Sequence, residues 1–261
     1  MDAPDGRTRP PPATFIPTPR GVTDAFPMLD ISDFRDRHSG QAAWIVGNGP
    51  SLNRMDLSRL NGRVTFGMNR IYLGQDALRF TPRYYTVEDV FVAEDTPDEI
   101  NRLPYVKFLP RDLDYCLAGG DNVCWVDFIR RYKDFPLFSD SAQDGVHWGS
   151  TVTYLAIQIA WHMGCDPILL VGVDFDYAIP DYADGPEITS READPNHFHP
   201  DYFGPGKRWH HPRLDLVEKA YAKAREHIEA RGRRILNAGV GGKLEIFPRL
   251  DYDTALEAFA R

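Results

Sequence analysis

Cysteine is scarce in this chain, and the three present, Cys116, Cys124 and Cys165, show no CxxC spacing. An odd number without that spacing argues against a disulfide framework and a zinc knuckle, and fits a reducing cytoplasm. No run approaches the ~18 uninterrupted apolar residues of a membrane span, and the first residues hold no apolar stretch of the kind that marks a protein for export. Positive charge is also short, with 30 Lys and Arg against 38 Asp and Glu and a formal net charge of -8. A general nucleic-acid-binding role is therefore not expected, whereas an anionic small substrate would need only a local pocket. Neither GxGxxG nor the P-loop signature occurs, which argues against a plain Rossmann dehydrogenase and a P-loop kinase. No internal repeat stands out.

What is present is ordinary globular material, 43% hydrophobic and 26% charged, enough to bury a core. Residues 1–27 carry Pro10-Pro11-Pro12 and further prolines, and are expected to form a solvated arm that leaves 28–261 as one domain. Residues 28–38, with Ser32-Asp33 as caps, suggest a short helix. The apolar run 42–46, cut by Gly47, reads as a buried strand of a parallel sheet. Further strands are expected at 64–68, 83–87, 167–173 and 234–238, with helices at 150–162 and 214–231. This predicts an α/β, Rossmann-like, mostly parallel sheet with helices on both faces. Residues 178–213 follow neither periodicity and should form a long functional loop.

Ligands of open α/β sheets bind beyond the C-terminal ends of the strands, so residues following each strand are candidates. In Gly47-Asn48-Gly49-Pro50-Ser51 the glycines would let backbone amides approach a phosphate, while Ser51 could cap a following helix. After the second strand, Asn69 could bond a ribose or base and Arg70 a phosphate. Asp174 and Asp176 share a face of an extended segment and could hold magnesium, although a divalent site usually needs more oxygens. The long loop holds His197, His199, His210 and His211, with Tyr177, Tyr182, Tyr202 and Lys207 nearby. Their spacing matches no zinc module, and a single histidine working as a general base is favoured over a metal cluster.

Four segments, VGNGPSL at 46–52, FGMNRIY at 66–72, GSTVTYLAIQIAWHMGCDPILLVGVDF at 149–175 and HFHPDYFGPGKRWHHPRLD at 197–215, together resemble one superfamily. It joins bacterial CMP-sialic-acid-dependent sialyltransferases, flagellin-glycosylating motility accessory factors and 6-hydroxymethylpterin diphosphokinase-like (MptE-like) proteins. The resemblance runs from about Ala42 to the C-terminus. It implies a cytidine nucleotide held by Asn48, Gly49 and Asn69, with Ser150 and Thr151 matching a TSG-like segment. It also implies Tyr177 and Tyr182 beside the departing phosphate, with the register of Tyr177 shifted by one. His210 or His211 would be the general base, and His211 is preferred. The implied reaction is metal-independent transfer of a nonulosonic-type sugar, with inversion, from a CMP-activated donor to a glycan or protein hydroxyl.

The 197–211 segment is richer than the sialyltransferase pattern and is closer to the diphosphokinase-labelled proteins. On that alternative the chain would transfer pyrophosphate from ATP to a pterin alcohol, with magnesium held by Asp174, Asp176 and Asp121. Only Gly120-Asp121-Asn122 of the archaeal HGDN-like motif is present. A third alternative is a nucleotide-binding module without turnover. A homo-oligomer is compatible with all three.

Overall fold

A strand buried along its whole length must be covered on both faces, and β1 (Ala43–Val46) is such a strand. Its side chains alternate, Ala43 and Ile45 entering one core and Trp44 and Val46 the other. The computed structural model describes residues 29–260, so the proline-rich stretch 1–27 lies outside the described residues.

The chain continues through β2 (Val64–Met68), β3 (Tyr84–Thr86), the short helices α1 (Val90–Asp95) and α2 (Pro97–Arg102), β4 (Val106–Pro110) and β5 (Val123–Val126). A minor pair, β6 (Phe128–Ile129) and β7 (Val146–His147), precedes α3 (Val152–His162) and β8 (Ile168–Val171). A second minor pair follows, β9 (Glu187–Thr189) and β10 (Arg208–His210), and then α4 (Leu214–Glu229), β11 (Ile235–Asn237) and α5 (Tyr252–Ala258). Seven strands form one sheet in the order β11-β8-β1-β2-β3-β4-β5, with every pairing parallel. The fold is thus the expected Rossmann-like α/β sheet.

Starting at β1 the chain adds strands outward to β5, then crosses back to lay β8 on the other side of β1. The strand order reverses there, and the ends of β1 and β8 open a crevice. Helices α3 and α4 cover one face through residues such as Leu155, Ile159, Val217 and Tyr221. The other face is covered by α1, α2 and α5, through Val92, Ile100 and Leu256. Every residue of α3 is buried, and Thr151 caps it by accepting the Thr153 N–H at 3.3 Å. Among the described residues no helix is long and apolar enough to cross a membrane.

Several expectations change. The stretch near residue 30 forms only a 3-10 turn, Ile31–Phe34, because Asp30 rather than Ser32 is the cap, in a reciprocal capping box with Asp33. After Gly49 the chain makes 3-10 turns, Pro50–Arg54 and Leu57–Leu60, instead of a helix capped by Ser51. The 178–213 segment contains the antiparallel pair β9 and β10. Strands β4 and β5 were not anticipated. Lys107 interrupts the apolar pattern of β4, yet it is buried, its ammonium donating to the carbonyls of Ile100, Asn101 and Leu103 at the end of α2.

Candidate functional site

A cavity of about 720 Å³ lies at the reversal point, over the ends of β1, β2, β3 and β8, and the long loop closes its far side. Its size suits a nucleotide-sized ligand. The loop after β1 is clamped to the end of β8: the N–H of Gly47 donates to Val171 O and that of Gly49 to Gly172 O, each at 2.8 Å. Gly172, with φ +65°, turns the chain so that Asp174 reaches back across the crevice. The Asp174 carboxylate accepts the Ser51 N–H at 2.9 Å and the Ser51 hydroxyl. Ser51 is buried and does not line the cavity. The place that sequence reasoning reserved for a ligand phosphate at Ser51 therefore already holds a carboxylate of the protein.

Asn48 and Asn69, by contrast, stand at the cavity wall at the ends of β1 and β2. Asn48 is 8% exposed, and its amide nitrogen donates to Met68 O at 3.3 Å. Among the described residues the carboxamide oxygens of both are buried without a partner, so a ligand donor would reach them only after these side chains turn toward the cavity. Arg70 is not at the cavity. It is buried and donates to the carbonyls of Asp201 and Tyr202, which anchors the loop to the end of β2.

Ser150, Thr151, Val152 and Thr153 present the start of α3 to the cavity, with Ser150 in the left-handed region at φ +65°. The first turn of this eleven-residue helix turns a positive dipole end toward the cavity, an arrangement that suits an anion. Tyr221 of α4 lines the same cavity, and burial, opposed by the Thr153 and Thr151 side chains, raises its pKa to about 12.

Acid-base groups gather on the opposite wall. His210 Nδ1 lies 3.4 Å from Asp89 Oδ2, and its ring stacks on Phe91 at 4.2 Å. The Asp89 hydrogen bond, acting against burial, holds the imidazole above its ordinary pKa. Asp89 also caps α1, accepting the Phe91 N–H at 2.8 Å. His211 lines the cavity too, but its Nδ1 meets only the Pro212 carbonyl, at 3.3 Å. Among the described residues no carboxylate orients it. The loop forms a second pair, His197 Nδ1 with Asp194 Oδ2 at 2.7 Å, the imidazole stacked on Tyr202. Burial pushes Asp194 up, but the His197 hydrogen bond and charge and the Asn196 and Phe203 amides bring it net below its ordinary value. His199 and Lys207 do not line the cavity.

Tyr177 stands at the wall, edge-on to His197 at 6.4 Å. Tyr182 does not join it: its hydroxyl accepts the Arg191 N–H at 3.1 Å, the Arg191 guanidinium covers its ring, and it lines a smaller neighbouring cavity. Asp176 is paired with Lys243 at 2.8 Å. Asp121 precedes β5 and so lies at the N-terminal end of that edge strand, whereas the crevice lies over the C-terminal ends of the central strands. The three carboxylates considered for magnesium are thus not brought together. Among the described residues no three His, Cys, Asp or Glu side chains cluster as metal ligands.

Glu88, Asp89 and Arg130 were not picked out from the sequence, although adjacent carboxylates directly after a strand were a visible signal. Glu88 is buried and pairs with Arg130 at 3.0 Å. Burial, opposed by Arg130, raises its pKa to about 7. Between about pH 4.5 and 7 the folded chain therefore binds a proton at Glu88 that the unfolded chain lacks, so this group's stabilising contribution is lost as pH rises through that window. Glu88→Gln should remove that slope. The stability gap between wild type and variant, measured by urea unfolding at pH 5 and pH 8, should shift on the order of 2 kcal/mol against wild type at the higher pH. Parallel pH profiles would refute this.

No protein-family model and no curated protein matches the sequence. The MAf glycosyltransferase of Magnetospirillum magneticum AMB-1 is structurally similar at 16% identity and a TM-score of 0.51, covering 84% of this chain. The match spans 35% of that protein's chain. At this identity the likeness concerns the fold, and it agrees with the parallel sheet described above.

Proposed function

We propose that this chain is a glycosyltransferase that moves a sugar from a nucleotide-activated donor, of the CMP-linked nonulosonic class, to a glycan or protein hydroxyl. The observation that carries the reading is the convergence, on one cavity at the strand-order reversal, of unpartnered Asn48 and Asn69 oxygens, the α3 N-terminus and the His210–Asp89 pair. The two carboxamides suit the N–H and O–H donors of a cytidine. The α3 amides and Tyr177 suit the phosphate.

In the proposed reaction His210 Nε2 takes the proton of the acceptor hydroxyl while its Nδ1–H is held by Asp89. The oxygen bonds to the anomeric carbon as that carbon's bond to phosphate oxygen breaks, inverting the configuration. The leaving phosphate takes up negative charge at the helix N-terminus. Each charge that develops meets a group of this chain, so the proposed step calls for no metal ion. The alignment of Asp89 behind His210, and the lack of a carboxylate behind His211, favours His210 over the residue preferred from sequence.

Thermal-shift binding of CMP, CDP and ATP, each with and without magnesium, tests the donor class. CMP at a hundredfold excess over its Kd should stabilise the chain by about 2.7 kcal/mol, a Tm rise of roughly 5–10 °C, regardless of metal. A rise with ATP and magnesium alone would overturn the proposal in favour of pyrophosphoryl transfer.

A further inference from the structure

Beside the main cavity lies a second one of about 280 Å³, and the two share Asn196, His197, Phe203 and Trp209 as walls. Its own lining differs in kind. Tyr182, Phe203 and Trp209 supply aromatic rings, Ser190 and Glu192 supply oxygens, Asp194 is engaged by His197 and the Asn196 and Phe203 amides, and neither lysine nor arginine is among the lining residues. The guanidinium of Arg191, next to the lining residues Ser190 and Glu192, is spent over the Tyr182 ring. Trp209 is 7% exposed, and its indole N–H is buried without an acceptor. Ile179, which lines this cavity, leaves large apolar surface exposed, 37%.

Aromatic walls pair with the C–H faces of a pyranose, and hydroxyl and carboxylate oxygens receive its O–H donors. A site of this kind without a cation leaves an anionic ligand unpaired and selects against it. Resting on the transferase reading above, we infer that the second cavity is the acceptor subsite and that it takes an uncharged pyranose. Its occupant presents a hydroxyl to the main cavity past His197, one of the four residues common to both. Asp194, nearly enclosed at 3% side-chain exposure, fixes the orientation of that imidazole and makes His197 a positioning residue for the incoming hydroxyl.

The test is saturation-transfer NMR on the full chain with methyl glucopyranoside, galactopyranoside and mannopyranoside, and with the matching methyl glucuronide as the anionic probe. Ala178→Trp blocks the cavity. The Ala178 side chain is exposed and its backbone bonds to the Asn196 carboxamide are independent of the methyl, so the fold should tolerate the change. At least one neutral pyranoside should bind at millimolar concentration, at least tenfold better than the glucuronide. That binding should weaken at least tenfold in Ala178→Trp, while the thermal response to CMP stays unchanged. No pyranoside binding, binding indifferent to Ala178→Trp, or preference for the glucuronide would overturn the subsite. Because CMP is read separately, a chain that binds CMP but fails these tests loses only the subsite. One that binds the pyranoside as expected but ignores CMP loses only the donor reading.

Discussion

Replacing His210 with alanine is expected to lower kcat for sugar transfer by about 10²–10⁴-fold, the usual range for a general base, with nucleotide affinity little changed. His211→Ala should cost less than about tenfold, since nothing orients that ring for proton transfer. A reversal of the two effects would return the base to His211. The pH dependence adds a second readout. His210 must be neutral to accept a proton, and Asp89 raises its pKa above the ordinary value. Activity should therefore fall as pH drops through a value above about 6.5.

Asp89→Asn should move that acid limb downward. Asparagine still caps α1, so the helix survives while the carboxylate charge is removed. Stability runs the other way over the same range. A histidine whose folded pKa is raised contributes stability fully present below its unfolded pKa and lost as pH rises through the folded one. The wild-type protein should thus gain activity across the interval in which the His210–Asp89 pair ceases to stabilise it. An acid limb unmoved in Asp89→Asn would show that another group sets the profile.

The sheet was legible in the sequence where the pattern was strongest. The runs at β1 and β8 are apolar without interruption, and Thr65 and Gly67 alone break the one at β2, because these central strands are covered on both faces. At β4, Lys107 hides the strand: its charge is held by the carbonyls of Ile100, Asn101 and Leu103, and backbone acceptors leave no mark in a side-chain pattern. The candidate site was legible by position but less so by role. Gly47, Asn48, Gly49, Asn69, Ser150, Thr151 and Asp174 all follow or precede elements whose ends point into one crevice, and all but the partnered Asp174 keep open the roles given them there. Ser51 was misassigned because the occupant of its amide, Asp174, lies 123 residues away. Tyr182 was misassigned because β9 and β10 fold its loop back on itself. Proposing His210 rather than His211 as the base rests on its contact with Asp89, 121 residues distant. Such long-range pairings leave no periodic trace.

The junction of β1 and β8 should be the least forgiving point in the molecule. Gly47→Ala would drive a Cβ into the Gly172 carbonyl oxygen and to 2.9 Å from Val173 Cγ2. Neither strand can move aside easily. The Gly47 N–H is bonded to Val171 O, and Gly172, fixed at φ +65°, packs its Cα side against Leu52. The clash is with backbone, so relief requires β1 and β8 to part where Asn48 and Asp174 take their positions. A loss of about 3–4 kcal/mol is expected, a fall in Tm of roughly 10 °C, together with loss of the CMP response. Gly62→Ala is the contrast. Gly62 has φ +83° but open space around it, so alanine there meets only backbone strain of about 1–2 kcal/mol, and the CMP response should persist. If Gly47→Ala were as stable as Gly62→Ala and still stabilised by CMP, close approach of the two strand ends would not be what builds the site, and the cavity would owe its shape to the 178–213 loop.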